Sequence, residues 1–481
     1  MATTSAALNP IKVQEQEFID SKTGDRFDIV GVAYQPGGSS GATATADPLS
    51  DPAACLRDAA LMQALGINTI RVYNLSPTAN HDECASIFDS VGIYMLLDVN
   101  SPLEGQYLNR ADPQGSYNTA YLTHVFSVIE AFKDYPNLLG FNSGNEIINT
   151  AGTAKKTPPY IRAVQRDMKN YIANNADRTI PVGYSAADVA DLLDDQWAYF
   201  QCEIDGKTDP SRSDFFGLND YEWCGADSSY TISGYNVLVQ TFSKSTIPVF
   251  FSEYGCNDPQ PRLFDEVPTL YGPKMTALSG GLVYQWTQDS SDYGLVNVKS
   301  DGSAKLLKDY DTLQSQYQKV DSSLLQKANS AATSLTPPTC SASLITGGSF
   351  STTFTLPKTP SGATDMISNG ISNPPKGKII AVKNTSVSQT VKDANGSKIK
   401  NLAITTGATS ANYPGSSTTS KLDTESGSDS SSDSGSDVSS FRGRGGRSGS
   451  TVQNAAGASA TPSVLAALTA FAALFAMAIS M

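Results

Sequence analysis

Eight short apolar runs alternate with helical stretches between residues 25 and 310, and this repeat restricts the fold more than any other feature. Most runs are continuously apolar, which is typical of parallel strands buried on both faces. Apolar residues at helical spacing fill the intervals, for example over 52–65, 120–132 and 160–174. Eight strands with intervening helices predict a (β/α)8 TIM barrel, an α/β fold. The predicted strands are 29–34, 68–73, 93–99, 138–143, 180–184, 215–219, 248–253 and 281–286.

An open, doubly wound sheet is the alternative fold for such an alternating pattern. That fold normally has fewer strands, and its nucleotide-binding members carry a GxGxxG turn after the first strand. Here the first strand continues into GVAYQPGGSSG, which is rich in glycine but lacks that spacing. The sequence therefore favours the barrel.

The charge and the histidine content exclude several classes of function. The 34 basic and 47 acidic side chains give a net charge of −13, whereas a nucleic-acid partner requires a basic face. Only two histidines exist, His81 and His124, so a mechanism or metal site built on several histidines is excluded. We expect no metal and no cofactor.

Composition divides the chain into four predicted segments. Residues 1–325 hold the barrel domain, and 326–408 contain the runs SFSTTFTL and KIIAVKN, which predict an accessory β-type segment or linker. Residues 409–453 are rich in Ser, Thr, Gly and Asp. Such a composition cannot bury enough apolar surface to offset chain entropy, so we expect a disordered stalk. Residues 454–481 form the last segment.

This last segment has the order of a glycosylphosphatidylinositol (GPI) attachment signal. Small residues at 454–456 and a polar spacer precede 18 uncharged residues, 464–481. We expect attachment at Asn454, and a single C-terminal membrane helix is the alternative. The N-terminal MATTSAALNPIKV lacks the basic start and apolar run of a secretory signal, so we expect the start of the chain to be truncated.

Two glutamates follow apolar strands of the predicted barrel: Glu146 after the fourth and Glu253 at the end of the seventh. The carboxyl ends of barrel strands carry the active groups, and a carboxylate placed there is costly unless it is paired or used. Two opposed carboxylates can together catalyse the cleavage of a glycosidic bond. The alternative is that either glutamate merely pairs with Arg71.

A resemblance to a known family makes this interpretation specific. The segments GVAYQPGG, LGINTIRVYN, MLLDVNSP, GFNSGNE, YEWCG, FFSEYGCN and GGLVYQW resemble glycoside hydrolase family 72, in the same order, over about residues 15–325. Members are fungal, GPI-anchored β-1,3-glucanosyltransferases of the cell wall. The resemblance therefore implies a transglycosylating enzyme at the outer leaflet of the plasma membrane or in the wall. Only Cys340 lies beyond residue 256, so the cysteine-rich carbohydrate-binding module of many relatives is expected to be absent.

The resemblance also implies roles for individual residues. Glu146 matches the acid/base and Glu253 the nucleophile of a retaining double displacement that cleaves an internal β-1,3 linkage. The fragment then passes to the non-reducing end of another β-1,3-glucan. Asn145 is expected to bond the sugar 2-hydroxyl and Tyr221 to lie near the nucleophile. The other expected sugar-binding residues are Gln35, Tyr73, Asp98, Asn219, Tyr284 and Trp286.

The six cysteines contain no CxxC pair, so we expect three disulfides formed in an oxidising compartment, with six free cysteines as the alternative. Sequence alone allows 15 pairings of six cysteines. The family resemblance implies Cys55–Cys84, Cys202–Cys340 and Cys224–Cys256. Two other functions stay open at this point: a hydrolytic β-1,3-glucanase, and a non-catalytic glucan-binding wall protein.

Overall fold

The computed structural model describes residues 7–38, 43–204, 208–327, 335–417, 419 and 422–425. An antiparallel hairpin comes first, β1 (Ile11–Gln14) and β2 (Glu17–Asp20). Eight parallel strands follow and close into a barrel, in which each strand pairs with the next and the last with the first. The predicted TIM barrel is therefore confirmed. Its strands are β3 (Ile29–Ala33), β4 (Thr69–Val72), β5 (Tyr94–Asp98), β6 (Leu138–Asn145), β7 (Val182–Ala187), β8 (Phe216–Asn219), β9 (Val249–Tyr254) and β10 (Gly280–Val283).

Helices connect the barrel strands and continue beyond them. The three helical stretches predicted at 52–65, 120–132 and 160–174 are confirmed as α1, α4 and α6 below. The helices are α1 (Pro52–Leu65), α2 (Asp82–Ser90), α3 (Pro113–Ser116), α4 (Thr119–Phe132), α5 (Ala151–Lys156), α6 (Pro158–Asn175), α7 (Ala190–Gln201), α8 (Tyr235–Phe242), α9 (Val267–Leu270), α10 (Lys308–Tyr317), α11 (Ser322–Leu325) and α12 (Ser361–Asn369). A small sheet joins β11 (Val296–Val298), β12 (Ala304–Leu306) and β13 (Val391–Lys392).

Local sequence sets the ends of α1. The Asp51 carboxylate accepts hydrogen bonds from the backbone N–H groups of Ala53 and Ala54, and Pro52 occupies the first turn, where its missing N–H costs nothing. At the other end Gly66 adopts a left-handed φ of 86°, which terminates the helix at low cost. The chain then enters β4, which carries part of the site.

The hairpin β1–β2 closes the amino end of the barrel. Phe18 is completely buried, and its ring lies 5.9 Å from the rings of both Phe215 and Phe250, at the starts of β8 and β9. Leu96 and Leu282 belong to the same buried cluster. Apolar side chains therefore fill this end of the barrel, and the predicted catalytic glutamates lie at the opposite, carboxyl end.

The segment after the barrel differs from the expected accessory β-type segment. The predicted β runs, residues 349–356 and 378–384, contain no strand residues. In the second run the N–H of Lys378 donates to the Asp82 side chain and that of Ile380 to the Ser86 side chain, both on α2, and in the first run the N–H of Ser351 donates to the Ala154 carbonyl of α5. The runs therefore satisfy their donors on the barrel surface without a neighbouring strand.

The ordered chain also continues past residue 409, where we expected the stalk to begin. The Asn412 amide donates to the carbonyls of Gln63 and Ile67, both at 3.1 Å, and the Tyr413 ring packs 6.5 Å from Phe27. The start of the expected stalk is thus wrong. Its remainder and the expected GPI signal with Asn454 lie outside the described residues, apart from 419 and 422–425. In the described part of the chain, no helix is long and apolar enough to span a membrane.

The cysteines join in the pairs implied by the family resemblance. Cys55–Cys84 links α1 to α2, and Cys202–Cys340 ties the end of α7 to the segment after the barrel. Cys224–Cys256 links the loop after β8 to the loop after β9. This third bridge lies at the carboxyl end of the barrel and fixes two loops that flank the site.

Candidate active site

The Glu253 carboxyl lies on β9 at the carboxyl end of the barrel and is 5% exposed. The Tyr73 hydroxyl donates to its Oε1 at 3.0 Å, and the Tyr221 hydroxyl donates to its Oε2 at 2.8 Å. Arg71 approaches Oε1 at 3.5 Å. Three donors, two from the end of β4 and one from the loop after β8, thus converge on this one carboxyl, an arrangement that favours its ionised form.

Arg71 organises the floor of the site from β4, where its side chain is completely buried. It forms a two-pronged pair with Asp98, with Nε–Oδ1 at 3.2 Å and Nη2–Oδ2 at 2.9 Å. It also donates to the Ser252 carbonyl at 3.1 Å and to Asn145 Oδ1 at 2.9 Å. Asp98 is therefore its principal partner, and the pairing of Arg71 with Glu253 is the longer and weaker one.

Asp98 holds Arg71 instead of facing an open cleft. Its Oδ1 also accepts a hydrogen bond from Asn142 at 2.7 Å, and the residue is 3% exposed. Burial lowers the pKa of Arg71, but the charge and hydrogen bonds of Asp98 together with the nearby Tyr73 and Glu253 outweigh that effect, so the net shift is upward. Asp98 is thus held by Arg71 and Asn142, and its sugar contact stays a prediction.

Glu146 directly follows β6 and is half-buried. It has a left-handed φ of 47°, an uncommon conformation for a residue with a side chain, and its N–H donates to the Ser185 carbonyl at 2.9 Å. Asn219 donates to its Oε1 at 2.7 Å and also contacts Asn145 Oδ1 at 3.2 Å. A continuous set of contacts therefore joins Glu146 to Glu253 through Asn219, Asn145 and Arg71.

Two serine hydroxyls fix the orientation of the Asn219 side-chain amide. Its Oδ1 accepts hydrogen bonds from the hydroxyls of Ser185 at 3.1 Å and Ser252 at 2.8 Å, and these two hydroxyls contact each other at 2.7 Å. The amide nitrogen of Asn219 must then face Asn145 and Glu146. Sequence reasoning missed both serines: Ser252 directly precedes the predicted Glu253, whereas Ser185 lies on β7, a strand for which no site residue was predicted.

Burial raises the pKa of the Glu253 carboxyl to about 7. The nearby Arg71 charge opposes this rise, the Glu146 charge adds to it, and the hydroxyls of Tyr221 and Tyr73 oppose it. The Glu146 carboxylate thus adds to the cost of a charge on Glu253. Cleavage of a glycosidic bond uses one carboxyl group as the proton donor and the other as a carboxylate.

Four tyrosine rings surround Glu253 and form what we term the tyrosine wall. Tyr284 lies edge-to-face with Tyr73 at 6.5 Å and with Tyr221 at 6.4 Å. Tyr293 packs at 5.7 Å from Tyr221 and at 5.5 Å from Tyr284. Flat rings with hydroxyl groups suit pyranose faces and sugar hydroxyls. Tyr293 was missed because it lies beyond β10, in a loop whose path the sequence does not reveal.

The structure places the two remaining predicted sugar-binding residues differently. Gln35 follows β3 at the carboxyl end of the barrel and is 7% exposed. Trp286, in contrast, has no exposed surface and packs edge-to-face on Tyr310 of α10 at 6.3 Å. The predicted sugar contact of Trp286 is therefore wrong. The chain leaves β10 after Val283, which turns this side chain into the core instead of the cleft.

Comparisons with known proteins show the family of the chain. A family profile described as glucanosyltransferase, glycoside hydrolase family 72, matches residues 1–321. The 1,3-beta-glucanosyltransferase gel2 of Aspergillus fumigatus is 57% identical over 417 residues, which are 86% of this chain and 87% of that protein. The probable 1,3-beta-glucanosyltransferase GAS3 of Saccharomyces cerevisiae is 47% identical over 79% of this chain and 76% of its own length.

A solved structure gives the same result for the fold. Saccharomyces cerevisiae Gas2p, a glutamate-to-glutamine mutant in complex with laminaritetraose and laminaripentaose, superposes with a TM-score of 0.65 at 37% identity. The match covers 73% of this chain and 75% of that one. With a profile that spans the barrel and relatives of this identity, the chain belongs to the glucanosyltransferase family, glycoside hydrolase family 72.

Proposed function

We propose that this protein is a β-1,3-glucanosyltransferase that cleaves β-1,3-glucan and joins the fragment to a second glucan chain. The observation that carries the proposal is the pair of glutamates at the open end of the barrel, linked through Arg71, Asn145 and Asn219. The substrate class follows from the relatives, which are named 1,3-beta-glucanosyltransferases, and from the laminari-oligosaccharides in the Gas2p complex.

In the first step, a Glu253 carboxylate oxygen attacks the anomeric carbon of an internal β-1,3 linkage. The bond from that carbon to the bridging oxygen breaks, and Glu146 gives its proton to the departing oxygen. The fragment with the original reducing end leaves with a new hydroxyl group, and the other fragment remains as an ester on Glu253. Donors from Tyr73, Tyr221 and Arg71 support the attacking carboxylate.

In the second step, Glu146 acts as the base. It takes the proton from the 3-hydroxyl at the non-reducing end of an acceptor glucan, and that oxygen displaces Glu253 from the anomeric carbon. A new β-1,3 bond forms, and both glutamates return to their starting states. Two inversions give net retention, for which the carboxyl groups are expected to lie about 5–5.5 Å apart.

The contacts of Asn145 support its role at the sugar 2-hydroxyl. Its Oδ1 accepts from both Arg71 and Asn219, so the orientation of the amide is set by two donors. Its NH2 group is then the donor that a sugar hydroxyl would meet. A hydrogen bond to the 2-hydroxyl that strengthens in the transition state contributes to glycoside cleavage.

The alternative function is a hydrolytic β-1,3-glucanase, because transfer and hydrolysis proceed through the same ester on Glu253. A laminari-oligosaccharide with its reducing end converted to an alditol separates them. Transfer produces chains longer than the substrate and no new reducing ends, whereas hydrolysis produces one reducing end for each cleavage. We expect longer chains from the wild type, and none from Glu146→Gln or Glu253→Gln. Reducing sugars with only shorter products would replace the proposal with a glucanase.

We also propose that the protein is held at the outer face of the plasma membrane by a GPI anchor. Support comes from the sequence of residues 454–481, and the three disulfides fit a secretory route. Phosphatidylinositol-specific phospholipase C should release the enzyme from intact cells. Retention on treated cells, combined with full solubilisation by detergent, would favour the membrane-helix alternative.

A further inference from the structure

Arg262 lies in the segment between β9 and α9, and its side chain is 1% exposed. Its Nη1 donates to the Tyr284 carbonyl at 2.5 Å, and its Nη2 donates to the Tyr293 carbonyl at 2.6 Å. A longer contact, 3.4 Å, joins Nη1 to the carbonyl of Gly255, two residues after the proposed nucleophile. One guanidinium group therefore reaches three separate points of the backbone around the site.

Two of these three carbonyls belong to members of the tyrosine wall. Tyr284 and Tyr293 follow β10 outside the regular strands, where the Tyr284 N–H donates to the Tyr254 carbonyl at 2.9 Å and the Gln285 N–H donates to the Tyr293 carbonyl at 2.9 Å. Their rings touch each other and Tyr221, which donates to Glu253. Displacement of either carbonyl would move rings that lie against the nucleophile and the sugar site.

Arg262 is itself held in place from the opposite side. Asp309 of α10 accepts from its Nε at 2.6 Å and from its backbone N–H at 3.3 Å, and the guanidinium lies 4.6 Å above the Phe264 ring. A planar guanidinium with five N–H donors can serve a carboxylate and several carbonyls at once, which an ammonium group cannot. The site thus requires an arginine at this position.

We propose that Arg262, oriented by Asp309, is a positioning residue that holds the tyrosine wall in its glucan-binding arrangement. The role rests on the proposed transferase function. Arg262 acts through the backbone of Tyr284 and Tyr293 and touches neither glutamate side chain in the described contacts. Loss of the arrangement should therefore weaken glucan binding more than it slows the chemical step.

Arg162 offers a matched control. It is completely buried, donates to the carbonyls of Tyr199 and Cys202, and pairs with Asp209 at 2.6 Å. None of these partners belongs to the active site. Arg162→Lys and Arg262→Lys therefore each remove a buried guanidinium group that bonds a carboxylate and backbone carbonyls. Of the two arginines, Arg262 is the one bonded to the tyrosine wall.

The test uses the full-length enzyme and the alditol substrate, with melting temperatures recorded for each variant. We expect both lysine variants to melt lower, but only Arg262→Lys to raise KM, by about tenfold for a net loss of one buried hydrogen bond. Its kcat should change by less than that factor. Asp309→Asn keeps an acceptor for Nε, so we expect a smaller KM rise in the same direction. If Arg262→Lys does not fold, the KM of this milder variant is compared with that of the wild type instead.

Two results would overturn the inference. One is an unchanged KM in a folded Arg262→Lys or, failing that, Asp309→Asn enzyme. The other is the same rise in KM for Arg162→Lys, which would indicate a general effect of stability. Failure of the proposed function has a different signature, because the wild type itself would then lack transfer products.

Discussion

Replacement of Tyr221 by phenylalanine removes one hydroxyl from Glu253 and leaves the ring in the tyrosine wall. In the wild type this hydroxyl donates to Oε2 of Glu253 at 2.8 Å, inside a site where the carboxyl is 5% exposed. Burial raises the pKa of Glu253 to about 7, and the Tyr221 hydroxyl is one of the groups that oppose this rise. The variant should therefore shift the pKa of the nucleophile further upward.

The size of the shift follows from the type of hydrogen bond. A hydrogen bond to a charged group contributes about 1.5–3 kcal/mol, and one pKa unit corresponds to about 1.4 kcal/mol. Loss of the Tyr221 hydroxyl should thus raise the pKa of Glu253 by about one to two units. Because the attacking form is the carboxylate, activity on the acidic side of the profile should fall about tenfold for each unit.

The assay is the pH dependence of kcat/KM for Tyr221→Phe against the wild type. The acid limb should move to higher pH by about one to two units. Tyr171→Phe is the matched control, since the Tyr171 hydroxyl donates at 2.8 Å to the buried Glu130 carboxyl, outside the active site. That control should leave the limb in place. An unmoved limb in Tyr221→Phe, or one moved to lower pH, would refute the assignment of Glu253 as the titrating nucleophile.

Two further predictions concern stability and modification. Glu253 has a folded pKa above its ordinary value of 4.5, so its contribution to stability is present below that value and is lost as the pH rises through about 7. The free energy of unfolding of Glu253→Gln should accordingly exceed that of the wild type at pH 8 by on the order of 3 kcal/mol, and the two should be equal at pH 4. Thermal melts at both pH values measure this difference. Equal melting temperatures at pH 8 would contradict the prediction. Asn74, Asn384 and Asn395 each begin an Asn-X-Ser/Thr sequon, and Asn384 and Asn395 are exposed whereas Asn74 is 7% exposed. In the protein secreted by a fungal host, mass spectrometry after enzymatic deglycosylation should therefore find N-glycans at Asn384 and Asn395 and none at Asn74. A glycan on Asn74 would contradict this.

The barrel was predictable because its strands are buried on both faces. Such strands must be continuously apolar, so each one can be recognised in the sequence without knowledge of the strands beside it. The site was predictable to the same extent, because barrel topology alone brings strand ends together. Glu146, Asn219 and Glu253 follow from that rule, and the family resemblance then gave them roles.

The parts that were not predictable depend on contacts between distant segments. Trp286 follows an apolar run and resembles a strand-end residue, but the chain turns after Val283 and buries it. Arg262 and Asp309 are separated by 47 residues and carry no local signal of their pairing. The runs 349–356 and 378–384 have β-type composition, yet the barrel surface supplies their partners. In each case a tertiary contact, which composition cannot encode, decides the outcome.

The different burial of the two glutamates agrees with their different proposed tasks. A nucleophile must keep one geometry and exclude water from its ester, and Glu253 is accordingly buried under three donors. An acid/base must exchange its proton with a leaving group and then an acceptor, and Glu146 is accordingly half-buried, with Asn219 as its donor. If the roles were reversed, the attacking carboxylate would have less support than its partner. The asymmetry of donors therefore favours Glu253 as the nucleophile on physical grounds that do not depend on the relatives.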